Sequence, residues 1–458
     1  MSVDLVQSLA WCLGAASLAT LMFIIIGLIP GTSETATIAP ATLVVVLLGC
    51  PPEATLSFCL AAVATKHLVH AVPTAILGLP GDNMAIPMLE PSAKLRALGL
   101  PHVALQKMVS GGVVALLLSV PISVGFATLL APFGAFVKSW VGPIFAVVGL
   151  ALAFTSPGRW ASVALFLPYG VIMQALNGAA VKVNGGPGLT ISFMLGMALG
   201  PMFVDLLMAL SPTARARLTV DGPRRIWLAP EAKMWSGRLP TPWSVLTVRQ
   251  LLYVLLSTIV SAVTFTFTAI GMTFLVGSVT QARVKGLYNK LTTSLSTMNA
   301  TSESTYIAEI LVPLVAFGLP LSPIALTVAL PLFNAPPVYG TAPVNNIHTL
   351  LTPLQVGVYG TLSVIAACAL TYPLVMRYAR SASAWVMRNV AQEAVLAMFA
   401  GLLVVLSFYE GGAIGVAVAV SVGIAGGALN KLVGFNIAAQ MMSYFAASWL
   451  MSTLFGGG

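Results

Sequence analysis

Val72-Pro73-Thr74-Ala75-Ile76-Leu77-Gly78-Leu79-Pro80 and Val312-Pro313-Leu314-Val315-Ala316-Phe317-Gly318-Leu319-Pro320 share one plan: Val-Pro, four residues, Gly-Leu-Pro. Each closes an apolar run. Proline removes a backbone donor and glycine permits dihedrals closed to other residues, so each stretch marks an interrupted helix. Interrupted helices at matching places in two halves of a chain point to the substrate site of a membrane carrier.

The rest of the chain supplies the setting. It has 458 residues, is 58% hydrophobic and 7% charged, and has a mean hydropathy of +0.97. Soluble chains average about 25% charged residues. Apolar runs of ~20 residues recur from end to end, as expected of an all-α polytopic membrane protein. The net charge of +9 sits mostly in short loops, the pattern of cytoplasmic loops, and does not point to nucleic acid. Cys12, Cys50, Cys59 and Cys368 have no metal-ligand spacing and read as small apolar side chains. The first run, Leu9 to Ile29, lacks a basic flank and reads as a retained span.

Taken in order, that first run ends in Gly27-Leu28-Ile29-Pro30-Gly31, followed by Thr32, Ser33, Glu34, Thr35 and Thr37. The piece from Pro40 to Cys50 is too short to cross alone. The run Ala54 to Gly78 contains Lys66, His67 and His70, and a polar connector then carries Lys94, Arg96, His102 and Lys107. Runs at about 108–131, 133–155, 160–180 and 188–210 complete a first repeat, 1–210. A basic linker follows at 211–249, with Trp227, Trp235 and Trp243 suited to the membrane interface. The second repeat, 250–458, opens with the run 250–280 and a Ser/Thr-rich stretch from Gln281 to Thr305. After its break come Pro336, Pro337, Asn345 and Asn346, then runs at about 351–376, 384–407, 411–428 and 433–455.

Each half is thus one break plus four trailing runs, with about 10–14 membrane segments in all. Lys94, Arg96 and Lys107 place the start of the first trailing run inside, whereas Arg377, Arg380 and Arg388 place the end of its counterpart inside. Equivalent elements then cross in opposite directions, as in an inverted-topology repeat. Arg283, Lys285 and Lys290 pull the other way.

Twelve acidic residues are available for chemistry. A charge at mid-bilayer costs at least ~2.5–3.5 kcal/mol, so one retained there faces a cavity or a partner. Asp82, directly after Gly78-Leu79-Pro80-Gly81, either holds a sodium ion or a proton with neighbouring carbonyls, or caps the next helix; both roles are compatible. Glu34, among hydroxyls at a helix start, suits a cation, while Thr32, Ser33 and the exposed N–H groups suit an anion; the alternative is a surface capping box. Ser302, Glu303, Ser304 and Thr305 form a similar cluster ahead of the second break. Lys66 could meet a substrate carboxylate, snorkel, or pair with Glu53 or Glu90. Asp205, near Arg215 and Arg217, reads as structural. Glu393 and Glu410 read as loop charges, and His102 and His348 as loop residues without partners. No phosphate loop, nucleophile–base pair or metal spacing indicates an enzyme.

Gly27 to Gly31, Thr74-Ala75-Ile76-Leu77-Gly78-Leu79-Pro80-Gly81, the connector Pro87-Met88-Leu89-Glu90-Pro91 with Lys94-Leu95-Arg96-Ala97-Leu98-Gly99, and Gly318-Leu319-Pro320 resemble the large membrane subunit (TctA-type) of the tripartite tricarboxylate transporters. The order of elements agrees over nearly the whole chain. That resemblance implies an ion-driven secondary transporter of organic carboxylates. It also implies a small four-span membrane subunit and an extracytoplasmic solute-binding protein as partners. Three departures mark a divergent member. Leu321 stands where the family's second break has Gly, Ser304-Thr305-Tyr306-Ile307 replaces an Asn-rich segment, and Lys66-His67 falls where small residues and Tyr are usual.

The expectation is therefore a permease of the prokaryotic inner membrane, importing a di- or tricarboxylate with sodium or protons by alternating access, with no cofactor beyond the coupling ion and with homo-oligomerisation left open. Thr32, Ser33, Lys66, Gly78, Pro80, Gly81, Asn83, Gly318, Pro320 and Ser322 are the candidate substrate residues; Glu34, Asp82 and Glu303 are the candidate coupling residues. The alternatives are a carrier of another small anion, an ion antiporter, and a passive channel or membrane scaffold. Conduction without saturation would mark a channel.

Overall fold

The computed structural model describes residues 3–184, 189–213, 216, 238–333 and 346–455. Arg215, Arg217, Trp227, Trp235, Pro336, Pro337 and Asn345 fall outside them. Among the described residues there are helices and no strands. The helices of the first half are α1 (Val3–Gly27), α2 (Glu34–Leu47), α3 (Pro52–Val72), α4 (Leu89–Ala97), α5 (Pro101–Leu130), α6 (Val141–Thr155), α7 (Trp160–Asn184) and α8 (Thr190–Leu210). Those of the second are α9 (Val248–Val263), α10 (Ala269–Arg283), α11 (Leu287–Phe317), α12 (Pro323–Thr327), α13 (Ile347–Leu350), α14 (Pro353–Asn389), α15 (Gln392–Ala428) and α16 (Ile437–Phe455).

Their starts follow local chemistry. Ser33, Thr268 and Ser322 cap α2, α10 and α12 by accepting from the N–H three residues on. Thr247 with Gln250, and Thr352 with Gln355, form capping boxes at α9 and α14. The span α15 is in fact two arms, 392–410 and 413–428, joined where Gly411 (φ −140°, ψ 21°) and Gly412 (φ 57°, ψ −141°) leave helical geometry. At that turn the Glu410 carboxylate accepts from the N–H groups of Ile191 and Ser192 and from the Ser192 hydroxyl, each at 2.7 Å. Glu410 is thus the cap of α8 and not a free loop charge.

Seven helices among the described residues are long and apolar enough to cross a membrane. That is fewer than the 10–14 segments expected, because α2, α6 and α9 are short. The 31-residue α11 is long enough, but much of its length carries hydroxyls and amides in place of apolar side chains. The helices are turned outward in the manner of a membrane protein. Along α9, Val248, Leu252, Leu256, Ile259 and Val263 are exposed, whereas Gln250, Ser257, Thr258 and Ser261 are buried. This is the reverse of a soluble amphipathic helix, whose polar stripe faces out.

Packing is exchanged between the halves. Helix α3 lies along α1 and α14, and α11 along α9 and α5. Helix α2 meets α3 as α10 meets α11, while α16 packs on α6 and α7 as α8 packs on α15. The two arms of α15 take the place of α6 and α7. Each contact therefore has a counterpart with first and second half interchanged.

Both Gly-Leu-Pro stretches end a helix in the same way. A π-turn over Pro73–Leu77 extends α3 to Gly78 (φ +73°), and α11 ends at Gly318 (φ +65°). Only glycine takes this left-handed geometry without cost. Space is also closed there. A Cβ on Gly78 would overlap the guanidinium of Arg96, and one on Gly318 would fall 2.7 Å from the ring of His348. His348 thus packs on the second break and is not a loop residue without partners. We expect Gly318→Ala to destabilise the protein by about 1–2 kcal/mol from the left-handed backbone alone. The ring contact adds to this, so His348→Ala should recover part of the loss in thermal unfolding of the double variant.

Candidate functional site

The breaks bring a buried polar cluster to the centre of the molecule. Lys66, His67 and His70 stand on successive turns of α3, all with no exposed surface. Opposite them, α11 contributes Asn299, Glu303, Tyr306 and Glu309, buried to within 1%. A helix so rich in hydroxyls can be buried because it satisfies itself. Thr297, Thr301 and Ser304 donate to the carbonyl four residues earlier, each at 2.8 Å. Gly111 and Gly112 of α5 let it come close; a Cβ on Gly111 would fall 2.3 Å from the carbonyl oxygen of Ser296.

His70 is the bridge. Its Nδ1 lies 2.8 Å from Asp82 Oδ2, and its Nε2 lies 2.8 Å from Asn299 Oδ1. Asn299 donates in turn to the carbonyl of Met108. Asp82 also caps the turn after the break, accepting from the Ala85 N–H at 3.0 Å. In the second break Ser322 takes this place. It accepts from the Ala325 N–H at 3.1 Å, and its hydroxyl donates to the carbonyl of Glu309 at 2.6 Å. Each break is thus tied back to the helix it follows, by an imidazole in one half and a hydroxyl in the other.

The Gly27–Gly31 turn joins the first break, with the Gly31 N–H donating to the carbonyl of Gly81 at 3.0 Å. Lys66 Nζ donates to the carbonyl of Thr32 at 2.7 Å. Its ammonium holds this turn from behind, and pairs with neither Glu53 nor Glu90; Glu90 pairs with Lys94 at the surface. His67 sets its ring edge-on to Tyr306, with centroids 4.1 Å apart, and lies 3.7 Å from Glu303 Oε2. No hydrogen-bond partner reaches either ring nitrogen of His67 or either oxygen of Glu303.

A cavity of about 430 Å³ opens beside this cluster. Of the sequence-predicted residues, Thr32, Ser33, Glu34, Asp82 and Asn83 line it. Lys66 and Glu303 lie behind its wall, and Gly78, Pro80, Gly81, Gly318, Pro320 and Ser322 form the two breaks that shape it without lining it. Further lining residues were not singled out from the sequence: Thr268, Tyr306, Glu309, Lys431 and Asn436. The cluster at Ser302–Thr305 is mid-helix, so it is not the counterpart of Ser33–Glu34. That counterpart is Thr268 at the start of α10. Capping patterns at Thr268 and Asn436 were the signal that could have found them, since each accepts from a backbone N–H at a helix start. Asp205 is also on the wall. It pairs with Lys431 at 2.9 Å across the halves, while its expected partners Arg215 and Arg217 lie outside the described residues.

Helices with apolar outer faces around a polar cavity define the class: a polytopic membrane protein. The sequence profile described as the Tripartite tricarboxylate transporter TctA family matches residues 13–442, and the chain belongs to that family. No curated protein and no solved structure matches it. The chain is accordingly a membrane component of a tripartite tricarboxylate transporter, with a transport role and not an enzymatic one. The family implies partner subunits and a carboxylate substrate.

Asn299 is the cheapest point at which to test the bridge. Asn299→Ala strands His70 Nε2 in a buried position, at about 1–3 kcal/mol for the group left unpaired, while the Met108 carbonyl stays within the helical ladder of α5. The expected result is a lowered unfolding midpoint in detergent without any ligand.

Proposed function

We propose that the chain is the permease of its assembly: a secondary active transporter that imports a small organic carboxylate of the di- or tricarboxylate class, driven by sodium or protons. The observation that carries this reading is the convergence of capped helix starts on one cavity. Ser33 at α2, Thr268 at α10 and Asn436 at α16 all line it. The N-terminal end of a helix presents free N–H groups and about half a positive charge, which favours an anion. Thr32, Ser33 and Asn83 are the side chains placed to bond carboxylate oxygens, with Lys431 at the rim.

Glu34 and Asp82 on the wall, with Glu303 behind, carry the charge that a coupling cation would neutralise. The interchange of contacts between the halves supports two inverted repeats, of the kind in which alternating access arises by moving one set of helices against another. In this reading the Gly-Leu-Pro breaks belong to the moving set, the membrane is the prokaryotic inner membrane, and the partners are a small four-span subunit and an extracytoplasmic solute-binding protein.

Thermal unfolding of the purified protein, with mono-, di- and tricarboxylates titrated in sodium and in potassium, tests this directly. A ligand at 100 times its Kd stabilises the folded state by about 2.7 kcal/mol. A saturable rise for one carboxylate, larger in sodium, is expected. Asp82→Asn should abolish ion-coupled uptake with the protein still folded, and unchanged coupled uptake would remove Asp82 from the coupling role. Uptake that never saturates and shows no counterflow would instead identify a channel.

A further inference from the structure

The cavity wall is oddly signed for a free polyanion. Glu34, Asp82, Asp205 and Glu309 face it against the single cation Lys431, which Asp205 already occupies. Behind the wall, Glu303 adds a carboxylate and Lys66 an ammonium. Around His67, then, stand three carboxyl groups (Glu34, Asp82 and Glu303) and one lysine, with Glu309 further along α11.

Within this cluster one ligand atom each of Glu34, His67 and Asp82 lies within 4.8 Å of the other two, and all three side chains are buried. Glu34 Oε1 and both nitrogens of His67 have no hydrogen-bond partner, although none is exposed. Leaving such groups dry and unpaired costs about 1–3 kcal/mol each. A bound ion removes that cost.

We infer that Glu34, His67 and Asp82 form a site for a divalent transition-metal ion, so that the carboxylate carried is one that chelates such an ion. The inference rests on the carboxylate reading above and names its substrate more closely. Sodium, magnesium and calcium are served by oxygen, whereas imidazole suits zinc, iron, copper and nickel. Tetrahedral ligand atoms at about 2.0–2.2 Å from a metal lie about 3.3–3.6 Å apart, so side-chain rotations that draw the three atoms together by about 1 Å complete the set.

The surroundings suit the role. Asp82 is held by His70 and the Ala85 N–H, and the His67 ring is held by Tyr306 with Glu303 near its Nδ1. Outer partners of this kind orient metal ligands. Three protein ligands leave coordination positions open, and Glu34 and Asp82 face the cavity in which the chelating carboxylate would supply the rest.

The test uses full-length protein in detergent, stripped of metal by a chelator and titrated with Co²⁺ alone while its visible absorption is read. The expected result is a saturable band at one equivalent, displaced by Zn²⁺ and not by Mg²⁺, Ca²⁺ or Na⁺. His67→Gln and Glu34→Gln should each weaken binding by at least about tenfold, and Glu303→Gln by about 10–100-fold; the exposed Glu393→Gln should leave it unchanged. If His67→Gln does not fold, Glu34→Gln at the cavity wall carries the comparison. Absence of the band, or wild-type binding in the folded His67 and Glu34 variants, overturns the metal site. Carboxylates are then added to the Co²⁺-loaded protein. A change in the band for a chelating carboxylate is expected. A band that no carboxylate alters leaves the metal site standing and removes the carboxylate. A carboxylate-dependent rise in unfolding midpoint without any Co²⁺ band removes the metal and keeps the carboxylate.

Discussion

Both ring nitrogens of His70 are committed, one to Asp82 and one to Asn299. Through that ring, which has no exposed surface, the first break is fastened to the long helix of the second half. A broken helix in a membrane frees backbone groups that lipid cannot satisfy. The chain answers by tying each break to the helix that precedes it. Asp82 and Ser322, at equivalent places, do this with different chemistry. The rest of the cavity wall depends on those two ties, because they fix where Glu34, Asp82 and the start of α12 stand.

The long helix α11 shows how polarity is made compatible with burial. Its threonines and serines turn their hydroxyls onto the carbonyls one turn back, so the helix presents few unmet groups to its neighbours. What remains unmet is concentrated at Glu303 and Glu309, on the side facing α3 and the cavity. Ionisable groups in a membrane interior that lack partners mark the working part of such proteins, and Glu34, His67, Glu303 and Glu309 are such groups here.

Much of this was legible in the sequence. The two Val-Pro…Gly-Leu-Pro stretches marked the regions in which α3 with its π-turn and α11 end, because glycine and proline act on the backbone locally. Asp82 was legible both as a cap and as a cavity residue for the same reason. Tyr306, Glu309, Lys431 and Asn436 were not legible as site residues, since only the interchange of contacts between halves carries them to the first break. The Ser302–Thr305 cluster misled because composition cannot distinguish a helix start from a buried helix that bonds its own carbonyls. Lys66 was ambiguous for a related reason: its ammonium serves the backbone of Thr32, a contact between helices that no spacing along α3 encodes.

The interchange of contacts has a consequence for how the protein comes into being. Helix α3 carries a lysine and two histidines, and the surface that covers it is shared between α1, α2 and α5 of its own half and α14 and α11, which are synthesised later. Until then the first half has its most polar helix only partly covered. The polar centre is therefore completed only when Asn299, Glu303, Tyr306 and Glu309 of α11 meet α3, and exists in neither half beforehand.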